Sequence, residues 1–364
     1  MIIQASPDTL AAAVASVKAG DTLQLIGHFK AAKPGVFAEG LTLDLSQAVL
    51  EACRWGGLKK ARVIGGVLRG TARDLDGDGD VDAHDPGLTL TGDSEDLTFE
   101  APRMEGMGLL LGADGQPLPS GGVGLSLIKG HRVRVLKPHV RGLMTGVKAD
   151  GLAERGAFTD FTVEGGDFAD IGGDGVYLAN VQGWIVRRCH FHDWRQVGTK
   201  HCDSIQTGRP TDRSPACEDG LIDECRSIGR MQSYFVPQSI RTHIRNCLAA
   251  TDFGNAYGMA QTVDGTIEDC IAATLDGSDT IARVNDSGAV GLRYVGRVVA
   301  MSAGRHAQIT YSQPASSAAT LEEVQRLKQA MADQTAASAA QNQSLLEQLA
   351  AANARIEAAR AALS

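Results

Sequence analysis

Two short stretches, GGDGVYL and HCDSIQT, each carry an aspartate, Asp174 and Asp203. Two carboxylates held close together raise the pKa of one of them, which is how a general acid stays protonated near neutrality. The surrounding region, residues 170–257, is rich in aromatics: Tyr177, Trp184, Phe191, Trp194, Tyr234, Phe235, Phe253 and Tyr257. His192, Lys200, His201, Gln206 and Arg209 lie among them. Flat apolar faces beside amides and charges suit a ligand built of hydroxylated rings. Asp174 and Asp203 are therefore the candidate acid/base pair. Tyr177, Trp194, His201, Gln206, Arg209, Tyr234 and Tyr257 are the candidate substrate-binding residues. The plainer alternative is that Asp in GGDG is an ordinary turn residue and Asp203 only caps a turn.

A second cluster is DLDGDGDVDAHD. Asp74, Asp76 and Asp78 take loop positions 1, 3 and 5, Gly79 takes 6, Asp80 takes 7, and Asp85 takes 12. That is the register of a calcium loop, with the glycine where the chain must turn sharply. The spacing predicts one Ca2+ held by Asp74, Asp76, Asp78, Asp80 (through its carbonyl) and Asp85. A solvated acidic loop without an ion is the alternative. Pro86-Gly87 follows at once, so no helix is expected to start there. The motif is similar to half of a dockerin, a cohesin-binding module that uses two such loops, each followed by a helix. This chain has one copy and lacks the helix signal.

The elements that must position these residues show in the glycine content, 43 of 364 residues, with aromatics at only 5%. Residues 6–20 read as a short helix, with Ser6 as N-cap, Pro7 at the first position and Gly20 at the stop. After it come short alternating apolar runs closed by Gly or a charge. Several recur at intervals of 22 to 28 residues. Four of them align on Cys189, Cys225, Cys247 and Cys270, spaced 36, 22 and 23 residues apart. A unit of that length with two or three strands and no helix fits one coil of a parallel solenoid. Equivalent residues then stack about 4.8 Å apart, which turns the cysteines into an inward ladder and sets Asp174 over Asp203. That separation suits a retaining glycosidase. Gln232, Asn255 and Asp279 continue the row.

The capping helix, the AVLE…ARVIGGVLRG opening and the coil period resemble the right-handed parallel β-helix family over residues 1–312. Pectate-lyase-like enzymes and phage tailspikes belong to that family. The sequence lacks a full match to the acid pairs of the polygalacturonase-like hydrolases or to the calcium-and-arginine pattern of the pectate lyases.

After a linker at 313–319 the composition changes. Residues 320–364 contain no glycine or proline. Leu321, Lys328, Thr335, Asn342, Leu349, Ile356 and Leu363 fall at a positions, and Val324, Met331, Ser338, Leu345, Ala352 and Ala359 at d positions. Such a seam predicts a coiled coil and a homotrimer. The expected fold is thus all-β, a right-handed parallel β-helix with an N-terminal capping helix (1–20), a solenoid (21–312) carrying the loop at 74–85, and a C-terminal α-helical coiled coil (320–364).

The formal charge of −8 argues against nucleic acid. The apolar runs are too short for membrane insertion. The first residues lack the pattern of a signal peptide, and the odd cysteine count, seven, suits reduced thiols. The resemblance to tailspikes therefore implies a virion tail protein assembled in the host cytoplasm. Its partners would be host cell-surface polysaccharide and other virion tail proteins. A stand-alone, secreted polysaccharide hydrolase or lyase of the same fold is the alternative.

Overall fold

Runs such as LTLDL and ARVI alternate apolar and polar residues, so each strand can bury one face only. The computed structural model describes residues 1–75, 83–107, 119, 121–151, 156–195, 197, 202–210, 215–274, 283–296 and 298–301. It divides the chain into Met1–Ser312 and Gln313–Ser364. The heptad seam of 320–364, and with it the predicted trimer contact, lies outside the described residues. Among those described, no helix is long and apolar enough to cross a membrane.

The first unit is a parallel β-helix. Each coil contributes strands to stacked ladders. One ladder runs from Ile2–Ala5 through Arg62–Ile64, Ile185–Arg187 and Leu221–Asp223 to Arg293–Val295, parallel throughout. Its inward residues form one register column: Leu23, Leu43, Val63, Phe99, Val135, Val163, Val186, Ile222, Ile244 and Ile267. Each is at most 1% exposed. Fully burying a branched or aromatic side chain stabilises by roughly 1.5–3 kcal/mol, so the column is a principal source of cohesion between coils. A second ladder includes Arg103–Met107, His139–Arg141, Asp167–Ala169, His190–His192, Arg226–Gly229, Leu248–Thr251 and Ile271–Thr274. The third is a separate nine-stranded parallel sheet that includes Leu143–Asp150, Asp174–Ala179, Asp203–Thr207, Gln232–Phe235 and Asn255–Gly258.

A two-residue corner joins the first ladder to the second, coil after coil. Its first residue is left-handed: Gly65, Ala101, Lys137, Gly165, Arg188, Glu224, Asn246 and Asp269 all have φ between 48° and 66°. Its second residue is Gly66, Pro102, Pro138, Gly166, Cys189, Cys225, Cys247 and Cys270 in turn. The corner amides stay in the ladder, for example Arg188 N–H donating to Asp223 O at 2.9 Å and Asn246 N–H to Glu268 O at 3.0 Å. The aligned cysteines therefore mark a corner. All four are buried thiols, and burial drives those of Cys189, Cys225 and Cys247 well above the ordinary range. Cys202 and Cys217 are also free and buried, with no disulfide between them.

The amino-terminal segment differs from its expected form. A strand, Ile2–Ala5, precedes the helix and pairs in parallel with residues 22–25. The helix is only Leu10–Ser16, with Thr9 as N-cap. Ser6 and Pro7 instead belong to the turn before it, where Thr9 N–H donates to Ser6 O at 3.1 Å. The helix buries Leu10, Ala13 and Val14 in the same core as Leu23 and Leu25.

The acidic loop falls between the second ladder and the nine-stranded sheet. Val67–Arg73 and Ala83–Asp85 form an antiparallel hairpin in which Arg73 faces Ala83 and Thr71 faces Asp85. The two ends of the loop are thus held together. Asp76, Asp78 and Asp80 lie outside the described residues. Asp85, expected as a calcium ligand, is ion-paired with Arg73 at 2.5 Å.

Candidate active site

The nine-stranded sheet presents two faces. Its inward column is Leu125, Val147, Val176, Ile205, Tyr234 and Tyr257, all 0% exposed. The next column, Lys148, Tyr177, Gln206 and Phe235, is half-buried and faces outward by alternation. Lys148 Nζ sits 5.4 Å from the Tyr177 ring centroid and 3.0 Å from Asp150.

The chain reaches Asp174 through GGDG because nothing larger fits. A Cβ on Gly173 would lie 2.6 Å from Met144 O, and one on Gly175 would lie 2.6 Å from Ser204 O and 2.8 Å from the Phe191 ring. The glycines let the strand close on the core on either side of Asp174. They are close-approach glycines, which is more than a turn requires.

Asp174 and Asp203 are register partners on successive coils. Their surroundings differ. Asp174 is half-buried and lines an open cleft of about 390 Å³ with His84, Val123, Met144, Thr145, Gly173 and Gln206. With the Gln206 amide turned so that its nitrogen faces Asp174, it lies 3.0 and 2.9 Å from the two carboxylate oxygens. Asp203 is 1% exposed, and among the described residues neither of its oxygens has a hydrogen-bond partner. Burial drives its pKa well above the ordinary carboxylate range, and the charge of Asp174 pushes the same way. The pair therefore places a buried carboxyl, biased towards its protonated form, beneath a cleft-wall aspartate. Such an arrangement can bind a hydroxylated ligand at Asp174 and Gln206. Asp203 does not line the cleft, so the expectation that both carboxylates face substrate is corrected: one faces the cleft and the other lies under it.

The remaining expected contacts are scattered. Tyr177 is half-buried in the outward column, and burial followed by the charges of Asp150 and Asp174 raises its hydroxyl pKa. Arg209 is exposed, in the segment that follows strand Asp203–Thr207. Tyr234 and Tyr257 are core residues, which removes them from any binding surface. Their hydroxyls donate to Leu248 O at 3.0 Å and to Ile271 O at 2.8 Å, and their rings pack 5.4 Å apart. Trp194 is 5% exposed and packed in the core, so it offers no face to a ligand. His201 lies outside the described residues. Gln232, next to Asp203 in the register, is also buried.

His84 is the site residue that sequence reasoning missed. It sits in the hairpin that carries the acidic loop, far from Asp174 in sequence. Its only sequence signal was its place inside DAHDP.

No family model matches this sequence, and no curated protein matches it. Solved structures do align with this chain. The Dettilon tailspike protein gp208 aligns at 11% identity and a TM-score of 0.47, covering 81% of this chain and 62% of its own. The A-module of the Azotobacter vinelandii mannuronan C-5 epimerase AlgE4 aligns at 14% identity and 0.42, covering 85% and 96%. The siphovirus 9NA tailspike receptor binding domain aligns at 12% and 0.40, covering 86% and 78%. The chain thus spans under two thirds of the first of these. At such identities no residue role transfers.

Proposed function

We propose that this chain is a polysaccharide-recognising β-helix protein of the tailspike or tail-fibre type, with depolymerase activity at the Asp174 cleft. The observation that carries the reading is the asymmetric carboxyl pair: Asp174 on the wall beside Gln206 and His84, and Asp203 unpaired and buried one coil away. A ring hydroxyl at Asp174 donates to a carboxylate oriented by Gln206. Burial and the charge of Asp174 bias Asp203 towards its protonated form. Tyr177 and Lys148 extend the polar and aromatic surface along the sheet. The heptads of 320–364 support a homotrimer, and the loop at 74–85 supports one bound Ca2+ that stiffens the hairpin carrying His84. Host cell-surface polysaccharide and other virion tail proteins are the partners, and the virion tail is the location.

The test is incubation of the full chain with purified bacterial capsular polysaccharides and lipopolysaccharides, read as new reducing ends or shortened polymer. Cleavage that disappears in Asp174→Asn, with the β-sheet circular dichroism retained, supports the reading. Cleavage that survives this substitution removes the site assignment.

A further inference from the structure

We propose that the outer face of the second ladder carries a transition-metal site formed by Asp167, His190 and His192, of the class that takes Zn2+. The site is on a different ladder from the Asp174 cleft. Asp167 and His190 are register partners on successive coils. His192 follows two residues after His190, which returns its side chain to the same face of the strand. Asp167 Oδ1 lies 3.0 Å from His192 Nε2 and 3.9 Å from His190 Nδ1. One ligand atom from each residue falls within 4.8 Å of the others. Zinc bonds near 2.0–2.1 Å with tetrahedral angles require neighbouring ligand atoms at roughly 3.3 Å, which these distances bracket.

The neighbouring side chains orient the three candidate ligands. His192 Nδ1 is 2.6 Å from Asp193 Oδ2, which fixes the ring and leaves Nε2 directed at Asp167. Arg141 holds the other oxygen of Asp167, Oδ2, at 2.5 Å, so Oδ1 remains on the imidazole side. His139, the register partner of Asp167 on the other side, stands 3.5 Å from Oδ2 and closes that flank. The three side chains are 39%, 47% and 24% exposed, so an ion can enter and a fourth position stays open to water. Two imidazoles and one carboxylate favour Zn2+, Co2+, Ni2+ or Cu2+ over Ca2+ or Mg2+. The ion would pin one coil to the next from outside, in a place where the core does not reach.

The experiment is Zn2+ titration of the full chain against a chromophoric chelator, with Co2+ absorption as a second readout. The expected result is saturable Zn2+ binding weakened about tenfold or more in His190→Asn and in His192→Gln. Co2+ should give tetrahedral bands without thiolate charge transfer, which separates the site from the buried cysteines. Zn2+ should also raise the Tm of the wild type and leave that of the double variant unchanged. His243→Gln, at a separate His–Glu pair 2.9 Å apart, serves as the control that keeps binding. Absence of saturable Zn2+ binding, binding that survives the double variant, or a thiolate spectrum overturns the proposal. Should either variant misfold, copper electron paramagnetic resonance of the wild type decides the matter: coupling to two imidazole nitrogens is required.

Discussion

Asp203→Asn separates function from stability more sharply than any other substitution. In the folded chain Asp203 is buried without a hydrogen bond, and burial lifts its pKa well above the ordinary 3.8. The folded state therefore holds a proton that the unfolded chain has released. The contribution of that proton to stability is full below the unfolded value and is lost as pH rises through the folded one. Between the two values the cost is about 1.4 kcal/mol per pH unit. Asparagine cannot ionise and escapes that slope. It buries an amide in the same unpaired position, at a pH-independent cost of roughly 1–3 kcal/mol. The variant should thus be less stable than the wild type in acid, then draw level and overtake it as pH rises. The assay is urea unfolding of both proteins at about pH 5, 6, 7 and 8, followed by tryptophan fluorescence. Infrared difference spectra of wild type minus variant at neutral pH should show a protonated carboxyl stretch. Parallel stability curves, together with no such band, would refute the reasoning and mean that Asp203 is ionised.

Other outcomes follow from the same geometry. Tyr234→Phe should lose the bond to Leu248 O, destabilise by about 1 kcal/mol in urea unfolding, and leave polysaccharide binding unchanged. Reduced binding would return Tyr234 to the surface. Truncation after Ser312 should convert a trimer to a monomer by light scattering, whereas a full-length monomer would favour a stand-alone enzyme. Calcium chelation, or Asp78→Asn, should increase proteolysis within residues 74–82 and weaken substrate binding through His84, while the solenoid's Tm moves little. Gly175→Ala should fail to fold at that coil or lose several degrees of Tm, because its Cβ meets backbone at 2.6 Å and has nowhere to move.

The solenoid was legible in the sequence because its physics is local and repeated. The period of the apolar runs, and cysteines recurring at one point of four successive coils, follow directly from stacking one residue over the next. The register of Asp174 on Asp203 was legible for the same reason. What each aspartate faces was not, because that depends on how the chain bends at Gly175 and on what packs above. Aromatic content was a poor guide to a binding surface. Tyr234 and Tyr257 look like platforms by type, yet they alternate with outward residues and fall on the inward side, their hydroxyls satisfied by backbone carbonyls. His84 could not be placed, since an antiparallel hairpin inside a parallel solenoid brings it to Asp174 from far away in sequence. Asp167 and His190 escaped notice because their approach is set by a register across coils, and only His190 and His192 are close in sequence.

The two-residue corner has a consequence for how such a molecule can change. From Gly65 to Asp269 the corner keeps its length, while the extra chain, such as the hairpin at 67–85, is accommodated on the side of the nine-stranded sheet. The first ladder and the corner thus act as a spine of constant pitch, and the cleft side is the variable edge. A segment exchanged there leaves the pairing of the spine intact, because the amide of each left-handed corner residue bonds to the adjacent coil. Loops on that edge can therefore be exchanged one at a time, with the stacking of the coils left intact.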